Sequence, residues 1–280
     1  MTITGQARAK INWALNITGR RPDGYHELDM LMHAIALCDD MTFEAADEIT
    51  LTVDGEAPAD ADRNLVTRAA RALNAHADTR YGARIGLLKR IPARAGLGGG
   101  SADCALTLKA LNRLWGLGLA DRTLAEIGAT LGADVPFCLA GGLARVSGIG
   151  ERVRSVSGAP EIPLVLVTPG EGLSTAEVFS LWDRGGYPPV TLDTDSLADA
   201  VVRRDLGAVQ RLCANALTAP ATDLMPEIGA LIAKLTALGA PAAFMTGSGS
   251  TVVGAFDTGD HARRAARAIP GSVLTHTLSV

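Results

Sequence analysis

The stretch Pro-Ala-Arg-Ala-Gly-Leu-Gly-Gly-Gly-Ser-Ala, residues 92–102, decides the fold prediction for this chain. It separates a short apolar run, Ile85 to Ile91, from a helical pattern that begins near Ser101. Glycine adopts backbone angles closed to other residues and lets a ligand approach the main chain. A helix start adds unpaired N–H groups and a partial positive charge. The run therefore predicts a phosphate-binding loop between a strand and a helix.

This loop differs from two better-known nucleotide-binding loops. It is not a Walker A loop, because no Gly-Lys-Ser/Thr ends it. Counting from Gly96, the sixth position is Ser101, where the dinucleotide-binding pattern needs Gly or Ala. From the loop alone, a flexible turn between strand and helix remains the alternative.

The composition bounds the class of protein. The 280 residues suffice for one large domain or two medium ones, and aromatics make up only 4%, so the core is expected to consist mostly of Leu, Val, Ile and Ala. The net charge is −4, and no basic run is interleaved with aromatics, which argues against a nucleic-acid partner. No apolar stretch approaches the roughly 18 residues that span a membrane, and the N-terminus has no apolar signal core, so we expect no membrane partner.

The cysteines predict the compartment. Cys38, Cys104, Cys138 and Cys213 are dispersed and form no Cys-x-x-Cys pair, so a zinc site is not indicated. Reduced, mostly buried thiols in a cytoplasmic protein are the expected state.

The first half of the chain alternates strand and helix patterns. Residues 7–17 alternate with period two, which predicts a strand with one buried face and places Lys10 and Asn12 on the same side. Further predicted elements are a turn at 20–24, a strand from Ile49 to Val53, a helix from Asn64 to Ala77 capped by Asn64, a helix from Ser101 to Trp115, a helix capped by Asp121 that ends before Gly132, and a strand from Leu143 to Ser147.

Gly-Ala-Asp-Val-Pro-Phe, residues 132–137, is predicted to be a loop. Pro136 disfavours helical angles at Val135, so Asp134 is expected at a corner between a helix and this loop.

The second half begins near residues 158–160 (Gly-Ala-Pro). The patterns there predict strands at 162–168, 242–246, 251–256 and 272–279, and helices near 195–203, 205–216, 222–238 and 258–269. A second glycine turn, Gly247-Ser248-Gly249, joins the two middle strands.

Two residues are candidates for the chemistry that a phosphate loop serves. Phosphoryl transfer needs a cation near the transferred group and a carboxylate near the accepting hydroxyl. Lys10, one of only four lysines, and Asp134 fit these roles. From the residues alone, a solvated strand lysine and an aspartate in a turn are equally good interpretations.

Three segments, in order, resemble the motifs of the GHMP kinase superfamily, which is named for galactokinase, homoserine kinase, mevalonate kinase and phosphomevalonate kinase. They are residues 9–12 (Ala-Lys-Ile-Asn), 92–102 and 245–250 (Met-Thr-Gly-Ser-Gly-Ser). The resemblance runs from about residue 7 to about residue 256. It implies an α+β, two-domain fold, with an N-terminal ATP-binding domain at 1–155, a C-terminal ferredoxin-like domain at 156–280, and an active site in the cleft between them.

The resemblance also implies a reaction and its ligands. Residues 18–26 and 132–137 are similar to a branch of the superfamily whose acceptor is a small alcohol that carries a cytidylyl group. We expect ATP and Mg²⁺ as cofactors, with metal ligands that the sequence does not identify. We also expect a monomer or a weak homodimer. A mevalonate-type or homoserine-type kinase, and a catalytically silent nucleotide-binding sensor, are the alternatives.

Site residues follow from the same resemblance. Asp134 is expected to accept the proton of the substrate hydroxyl, and Lys10 to hold that hydroxyl and stabilise developing charge. Gly247, Ser248 and Gly249 are expected to close on the phosphate region. The residues expected to wrap the ATP phosphates are Pro92, Ala93, Arg94, Ala95, Gly96, Leu97, Gly98, Gly99, Gly100, Ser101 and Ala102.

Five further residues match positions near the cytidylyl substrate: Asn12, Tyr25, His26, Thr175 and Phe179. Tyr25 and Phe179 are expected to stack on the base while His26 reads its edge. Without the resemblance, half-buried packing is the more common explanation for Tyr25 and His26, and a core position is the more common one for Phe179.

The chain departs from the family pattern at two loop positions. Arg94 stands where the first glycine is usual, and Ala102 replaces a common serine. Arg94 is therefore expected either to touch a phosphate or to face solvent.

Overall fold

Two long antiparallel strands, β1 (Thr2–Arg20) and β2 (His26–Ala46), frame the first half of the chain. The structure is a computed structural model and describes residues 1–56, 63–170 and 172–279. The predicted turn at 20–24 is confirmed, since the Arg21 N–H donates to the Tyr25 carbonyl at 2.7 Å.

Strand β2 is the centre of the first sheet. One edge of β2 pairs with β1. Its other edge pairs with β4 (Gly82–Leu88) toward the C-terminal end and with β5 (Leu143–Gly148) toward the N-terminal end. Strand β3 (Ile49–Asp54) lies parallel to β4, and β6 (Arg152–Val156) lies antiparallel to β5.

The prediction of a single buried face for β1 is wrong at its centre. Lys10 and Asn12 are 4% and 1% exposed, as deeply buried as their apolar neighbours. The glycine loop covers this face, because the Lys10 N–H donates to the Leu97 carbonyl at 3.0 Å. Register shifts on either side of Asn12 also interrupt the alternation.

The helices of this half pack on one face of the sheet. They are α1 (Leu65–Ala77), α2 (Gly99–Leu114), α3 (Asp121–Leu131) and α4 (Val135–Ala140). The Asn64 cap is confirmed, because its side chain accepts from the Val66 N–H at 3.0 Å. Ala120, rather than the predicted Asp121, occupies the cap position of α3, and Asp121 becomes an acidic residue in the first turn, where the helix dipole favours it.

The predicted loop at 132–137 is partly wrong, because Val135 is the first residue of α4. Pro136 lies in the first turn of that helix, where its missing N–H has no partner to lose. Asp134 directly precedes the helix and lies at a corner of the chain, as predicted.

The second half is built on an antiparallel sheet. Its strands β7 (Pro163–Val167), β8 (Ala242–Met245), β9 (Val252–Ala255) and β10 (Val273–His276) lie in the order β10-β7-β9-β8. Strand β10, the last in sequence, lies at one edge of the sheet. Strand β9 lies between β7 and β8, the two strands that precede it in sequence. This is the order of the predicted ferredoxin-like sheet.

More helices lie between β7 and β8 than a minimal ferredoxin-like unit needs. They are α5 (Thr175–Asp183), α6 (Thr194–Val202), α7 (Leu206–Leu212), α8 (Thr218–Leu224) and α9 (Glu227–Ala237). The helix predicted at 222–238 is divided, because Pro226 precedes α9 and cannot continue α8. Helix α10 (Gly259–Arg267), capped by Thr258, follows β9.

The two halves share apolar core. Ile11 and Leu31 of the first sheet belong to one buried cluster with Leu164 and Val253 of the second sheet. The two sheets of this α+β architecture are therefore joined by shared core, while a separate buried cluster that includes Phe43, Ile85 and Leu108 lies wholly within the first half. Strand β6 ends at Val156, whereas the domain boundary between 155 and 156 stays a prediction. Throughout the described ranges, every helix is too short or too polar to cross a membrane.

Candidate active site

A cavity of about 510 Å³ opens between the two halves. Its walls come from β1, the glycine loop, the corner before α4, helix α5 and the turn between β8 and β9. Lys10, Asn12, Asp134 and residues 92–101 of the loop line it, together with Thr175, Phe179, Gly247 and Ser248. The fold thus brings the three sequence motifs to one place.

Lys10 and Asp134 form an ion pair in this cavity. The Lys10 Nζ lies 3.4 Å from Asp134 Oδ2. The lysine side chain is 5% exposed, whereas the carboxylate is 30% exposed and so remains accessible to a substrate. A carboxylate that faces the cavity beside a buried cation can take a proton from a bound hydroxyl while the cation stabilises negative charge.

Asn12 orients Lys10. The Lys10 Nζ donates to Asn12 Oδ1 at 2.7 Å, and the Asn12 N–H donates to Thr246 Oγ1 at 2.7 Å. Asn12 was predicted to lie near the substrate, and in the structure its amide oxygen is bonded to the lysine. Asn12 also links β1 to the turn between β8 and β9.

The glycine loop needs its glycines for close approach. Gly98 has φ +71°, and a Cβ there would lie 3.0 Å from Lys10 Cγ and Cε. The Gly96 carbonyl accepts from Lys10 Nζ at 2.9 Å. The loop therefore lies directly on the lysine side chain.

The N-terminus of α2 opens into the cavity. The cap position is occupied by Gly98, which has no side chain to bond the first N–H groups of the helix. Residues 98–101 line the cavity. Free N–H groups and the positive end of the helix dipole favour phosphate at such a position. The Ser101 hydroxyl lies at this end, 3.6 Å from the point where a Cβ on Gly132 would stand.

The third motif, residues 245–250, contacts the glycine loop through main-chain atoms. A Cβ on Gly247 would lie 2.7 Å from the Gly96 carbonyl oxygen, and a Cβ on Gly96 would lie 2.6 Å from the Thr246 carbonyl oxygen. Ser248 Oγ and Thr175 Oγ1 are hydrogen-bonded at 2.8 Å, which ties this turn to the start of α5.

Asn215 holds the third motif in place and was missed by the sequence analysis. Its Nδ2 donates to the carbonyls of Met245 and Gly247, at 3.1 Å and 2.8 Å. Asn215 lies between α7 and α8 and belongs to no sequence motif, so no local signal identified it.

Arg94 accounts for the outer curve of the loop. It has φ +53°, a left-handed conformation that glycine adopts freely. Its carbonyl accepts from the Leu173 N–H at 3.2 Å, and it backs onto Gly172, where a Cβ would collide with that carbonyl. The departure from the family pattern therefore changes the side chain while the glycine-like backbone is kept.

The structure places only one of the three residues predicted for the substrate base in the cavity wall. Phe179 lines it, but Tyr25 and His26 do not. Tyr25 is 60% exposed at the tip of the β1–β2 hairpin. The ring of His26 packs against Phe179, with centroids 4.8 Å apart, and its Nε2 lies 2.7 Å from Asp183 Oδ1.

A buried ionic cluster lies beneath the loop. The Lys89 Nζ contacts Asp39 Oδ2 at 2.5 Å and Asp103 Oδ2 at 2.8 Å. Asp39 Oδ1 also accepts from the N–H groups of Arg90 and Ile91. Asp39, Lys89 and Asp103 thus join β2, the end of β4 and the first turns of α2. The scarcity of lysine was the only sequence signal for Lys89.

Burial and charge set the pKa values in this cluster. Burial raises the pKa of Asp103 to about 7, against the lowering effect of Lys89. Burial alone would lower the pKa of Lys89, but Asp103 and Asp39 raise it above its ordinary value through their charges and hydrogen bonds. Asp103 Oδ1 is buried with no hydrogen-bond partner, which favours the protonated acid.

Residues that could bind a metal ion are few. In the described part of the chain, no three His, Cys, Asp or Glu side chains form a group suited to a metal ion. The cavity lining includes the carboxylates of Glu56, Asp103 and Asp134 and the hydroxyls of Ser101, Thr175 and Ser248.

Comparisons with known proteins agree with this fold. The family model "GHMP kinases N terminal domain" matches residues 64–142, and "GHMP kinases C terminal" matches residues 197–274. A 4-diphosphocytidyl-2-C-methyl-D-erythritol kinase from Pelotomaculum thermopropionicum is 44% identical over 91% of this chain and 89% of that protein.

The fold of this chain is also similar to solved structures of two kinases. A crystal structure of 4-(cytidine 5'-diphospho)-2C-methyl-D-erythritol kinase aligns with a TM-score of 0.83 and 35% identity, covering 99% of this chain and 100% of that one. A homoserine kinase from Cytophaga hutchinsonii aligns with a TM-score of 0.74 and 18% identity, covering 99% and 95% of the two chains, which shows a shared fold alone.

The fold and the site together define a kinase of the GHMP class. Within that class, the chain belongs to the family of 4-diphosphocytidyl-2-C-methyl-D-erythritol kinases.

Proposed function

We propose that this protein transfers the γ-phosphoryl group of ATP to the 2-hydroxyl of 4-diphosphocytidyl-2-C-methyl-D-erythritol, in the non-mevalonate pathway to isoprenoid precursors. Membership of the family supports the substrate. The observation that carries the chemistry is the ion pair of Lys10 and Asp134, 3.4 Å apart in the cavity that the glycine loop lines.

The proposed reaction is a direct transfer without a phosphoenzyme. The substrate oxygen forms a bond to the γ-phosphorus as the bond from that phosphorus to the ADP oxygen breaks. Asp134 accepts the hydroxyl proton, and Lys10 stabilises the negative charge that develops on the oxygens. Three contacts of the ammonium, with Asn12, Gly96 and Asp134, support this placement of its charge.

ATP is proposed to bind with its phosphates on the glycine loop and the N-terminus of α2. Mg²⁺ usually binds one or two carboxylates together with substrate phosphates and water. The Ser101 hydroxyl lies at the N-terminus of α2, and we propose that it would help to hold the metal beside the phosphates, which leaves Asp134 to accept the proton. When bound, the ion supplies charge neutralisation for the phosphoryl group.

The cytidylyl group is proposed to bind at the Phe179 end of the cavity. Phe179 offers a ring face there, and Tyr25 lies on the exposed hairpin tip, where it can close over a base. Thr175 is proposed as a nearby polar contact. Four unpaired cysteines support a cytoplasmic location, and a monomer or weak homodimer stays a prediction.

The test is an ATP-consumption assay with the diphosphocytidyl substrate beside mevalonate and homoserine. We expect turnover only with the cytidylyl alcohol, and inhibition by free CMP. Turnover of mevalonate or homoserine instead would assign the protein to another branch of the class. ATP binding without turnover of any alcohol would favour a catalytically silent sensor.

A further inference from the structure

His26 is held by one face of helix α5. Phe179, Trp182 and Asp183 are spaced i, i+3 and i+4 on this helix, so they point the same way. The ring of Phe179 lies 4.8 Å from the imidazole, and the ring of Trp182 meets it edge-on at 5.8 Å. Asp183 Oδ1 lies 2.7 Å from His26 Nε2.

The position of His26 on β2 places it next to the cavity, although it is not one of the lining residues. Side chains alternate along a strand, so His26, Leu28 and Met30 share one face. Leu28 and Met30 line the cavity, and His26 continues their row toward the hairpin tip. The imidazole is only 12% exposed and is therefore fixed in orientation.

The carboxylate fixes which ring nitrogen carries the proton. Ionised Asp183 can only accept a hydrogen bond, so the neutral imidazole must carry its hydrogen on Nε2. Its Nδ1 then presents a lone pair and acts as an acceptor. Among the described residues, no other polar group bonds this ring, which leaves Nδ1 available for a ligand.

An acceptor at this position distinguishes two pyrimidines. Cytosine presents an amino group at position 4, a donor, whereas the oxygen at position 4 of thymine, and likewise of uracil, is an acceptor. An acceptor on the protein can form a hydrogen bond with the amino group of cytosine. Against the oxygen of uracil it places one lone pair opposite another, which is unfavourable. We infer that Asp183 is a positioning residue that selects cytosine over uracil by fixing the tautomer of His26. This inference rests on the proposed function, because it requires a cytidylyl group at the Phe179 end of the cavity.

Arg20 completes the environment of Asp183. Its Nη2 lies 3.6 Å from Asp183 Oδ2, on the oxygen that does not bond the histidine. Each oxygen of the Asp183 side chain therefore has its own partner, His26 on one and Arg20 on the other.

The test compares Asp183→Asn with Glu177→Gln, which removes the same charge from the same helix without touching His26. The amide of the Asp183→Asn variant can present either an oxygen or an N–H to Nε2 of His26. The variant can therefore form a hydrogen bond with either tautomer of the imidazole. Binding of CMP and of UMP is measured by calorimetry for the wild-type protein and both variants. We expect the wild-type preference for CMP to fall by about tenfold in Asp183→Asn, through weaker CMP binding, and to be unchanged in Glu177→Gln.

Two further measurements separate this role from a structural one. The KM for the cytidylyl substrate is expected to rise in Asp183→Asn, while the KM for ATP and the unfolding midpoint stay at their wild-type values. Nitrogen chemical shifts of the His26 ring are expected to report the Nε2-protonated tautomer in the wild-type protein and a mixture in the variant.

The outcomes distinguish the two proposals. If the wild-type protein prefers CMP and Asp183→Asn keeps the full preference, the role of Asp183 is wrong while the proposed function stands. An Nδ1-protonated wild-type histidine would overturn it in the same way. If the wild-type protein binds neither nucleotide, the proposed function fails, and base selection by Asp183 fails with it.

Discussion

The ammonium of Lys10 donates to the carbonyl of Gly96 at 2.9 Å. The cation on β1 is thereby bonded to the loop proposed to carry the ATP phosphates, although the loop itself contains no lysine. Its remaining contacts are Asn12 Oδ1 at 2.7 Å and Asp134 Oδ2 at 3.4 Å. The side chain of Lys10 therefore supplies the positive charge and contacts both the glycine loop and the proposed base.

Asp134→Asn is expected to reduce kcat by roughly 10²–10⁴-fold, the usual contribution of a positioned general base. The amide retains the shape of the side chain but cannot accept the proton. Calorimetric binding of ATP and CMP is expected to stay close to wild type. The matched control is Asp195→Asn, which removes an exposed carboxylate paired with Arg145 and Arg154. Turnover close to wild type in Asp134→Asn would contradict the role of Asp134.

Gly247→Ala is expected to lower kcat/KM for ATP by at least about tenfold, because the new Cβ would lie 2.7 Å from the Gly96 carbonyl oxygen and 3.2 Å from Lys10 Nζ. Gly271→Ala is the control. Its φ of +78° is equally unfavourable for alanine, but no atom lies within 4 Å of the new Cβ. Gly271→Ala is expected to lose about 1 kcal/mol of stability and no activity. Equal kinetic losses in both variants would show that backbone strain, rather than the contact with the loop, causes the effect.

Arg94→Gly and Arg94→Ala both remove the guanidinium, but only glycine relieves the left-handed backbone at φ +53°. We expect Arg94→Gly to be more stable than Arg94→Ala by about 1 kcal/mol, since the left-handed conformation costs an alanine roughly 1–2 kcal/mol and the greater unfolded-state entropy of glycine offsets part of that gain. Chemical denaturation measures the difference. The KM for ATP separates the two roles left open for the side chain: a rise in both variants indicates phosphate contact, and no change indicates a solvent-facing arginine.

Asp103→Asn is expected to change how stability depends on pH. The pKa of Asp103 is raised to about 7 in the folded protein, mainly by burial, so the folded state holds this proton more tightly than the unfolded chain does. The wild-type protein therefore loses stability from this group as pH rises from about 4 to about 7. The asparagine variant lacks that loss, so its stability relative to wild type is expected to increase between pH 5 and pH 8, on the order of 1–3 kcal/mol. Denaturation midpoints at the two pH values measure this, and a constant difference would argue against the raised pKa.

Phe179→Ala and Tyr25→Ala are expected to weaken binding of the cytidylyl substrate far more than binding of ATP, because Phe179 lines the part of the cavity proposed for the base and Tyr25 adjoins His26, which packs against Phe179. Loss of one stacked ring is worth about 1–3 kcal/mol per base, or roughly 5- to 150-fold in KM. Steady-state kinetics with each substrate varied in turn measures the two effects. Equal losses for both ligands would count against stacking on the base.

The glycine loop, the helix after it and the turn between β8 and β9 were predictable because each depends on local chemistry. Asn64 caps α1 through its own side chain, and Gly98 starts α2 through its own backbone angles. Strand β2 was not predicted. Its centre, residues 30–38, is an apolar run interrupted only by His33, so the signal for a buried strand was present and was missed.

Prediction of the site residues from the sequence succeeded and failed for the same reasons. Lys10, Asn12 and Asp134 lie where the motifs placed them, since each belongs to a recognisable segment. Asn215 and Asp183 act through partners that are distant in sequence, Gly247 and His26, and only the folded chain brings these pairs together. The split of the 222–238 helix at Pro226 was readable from the proline but was missed.

The contact between Gly96 and Gly247 has a consequence for the order of events during synthesis. The loop is made first, and the turn that completes it follows only after α2 to α9 have been made. A nascent chain that ends at β8 presents the glycine loop without Gly247, Ser248 or Gly249 against it. On the ribosome, the phosphate site therefore stays unfinished until the turn between β8 and β9 has emerged.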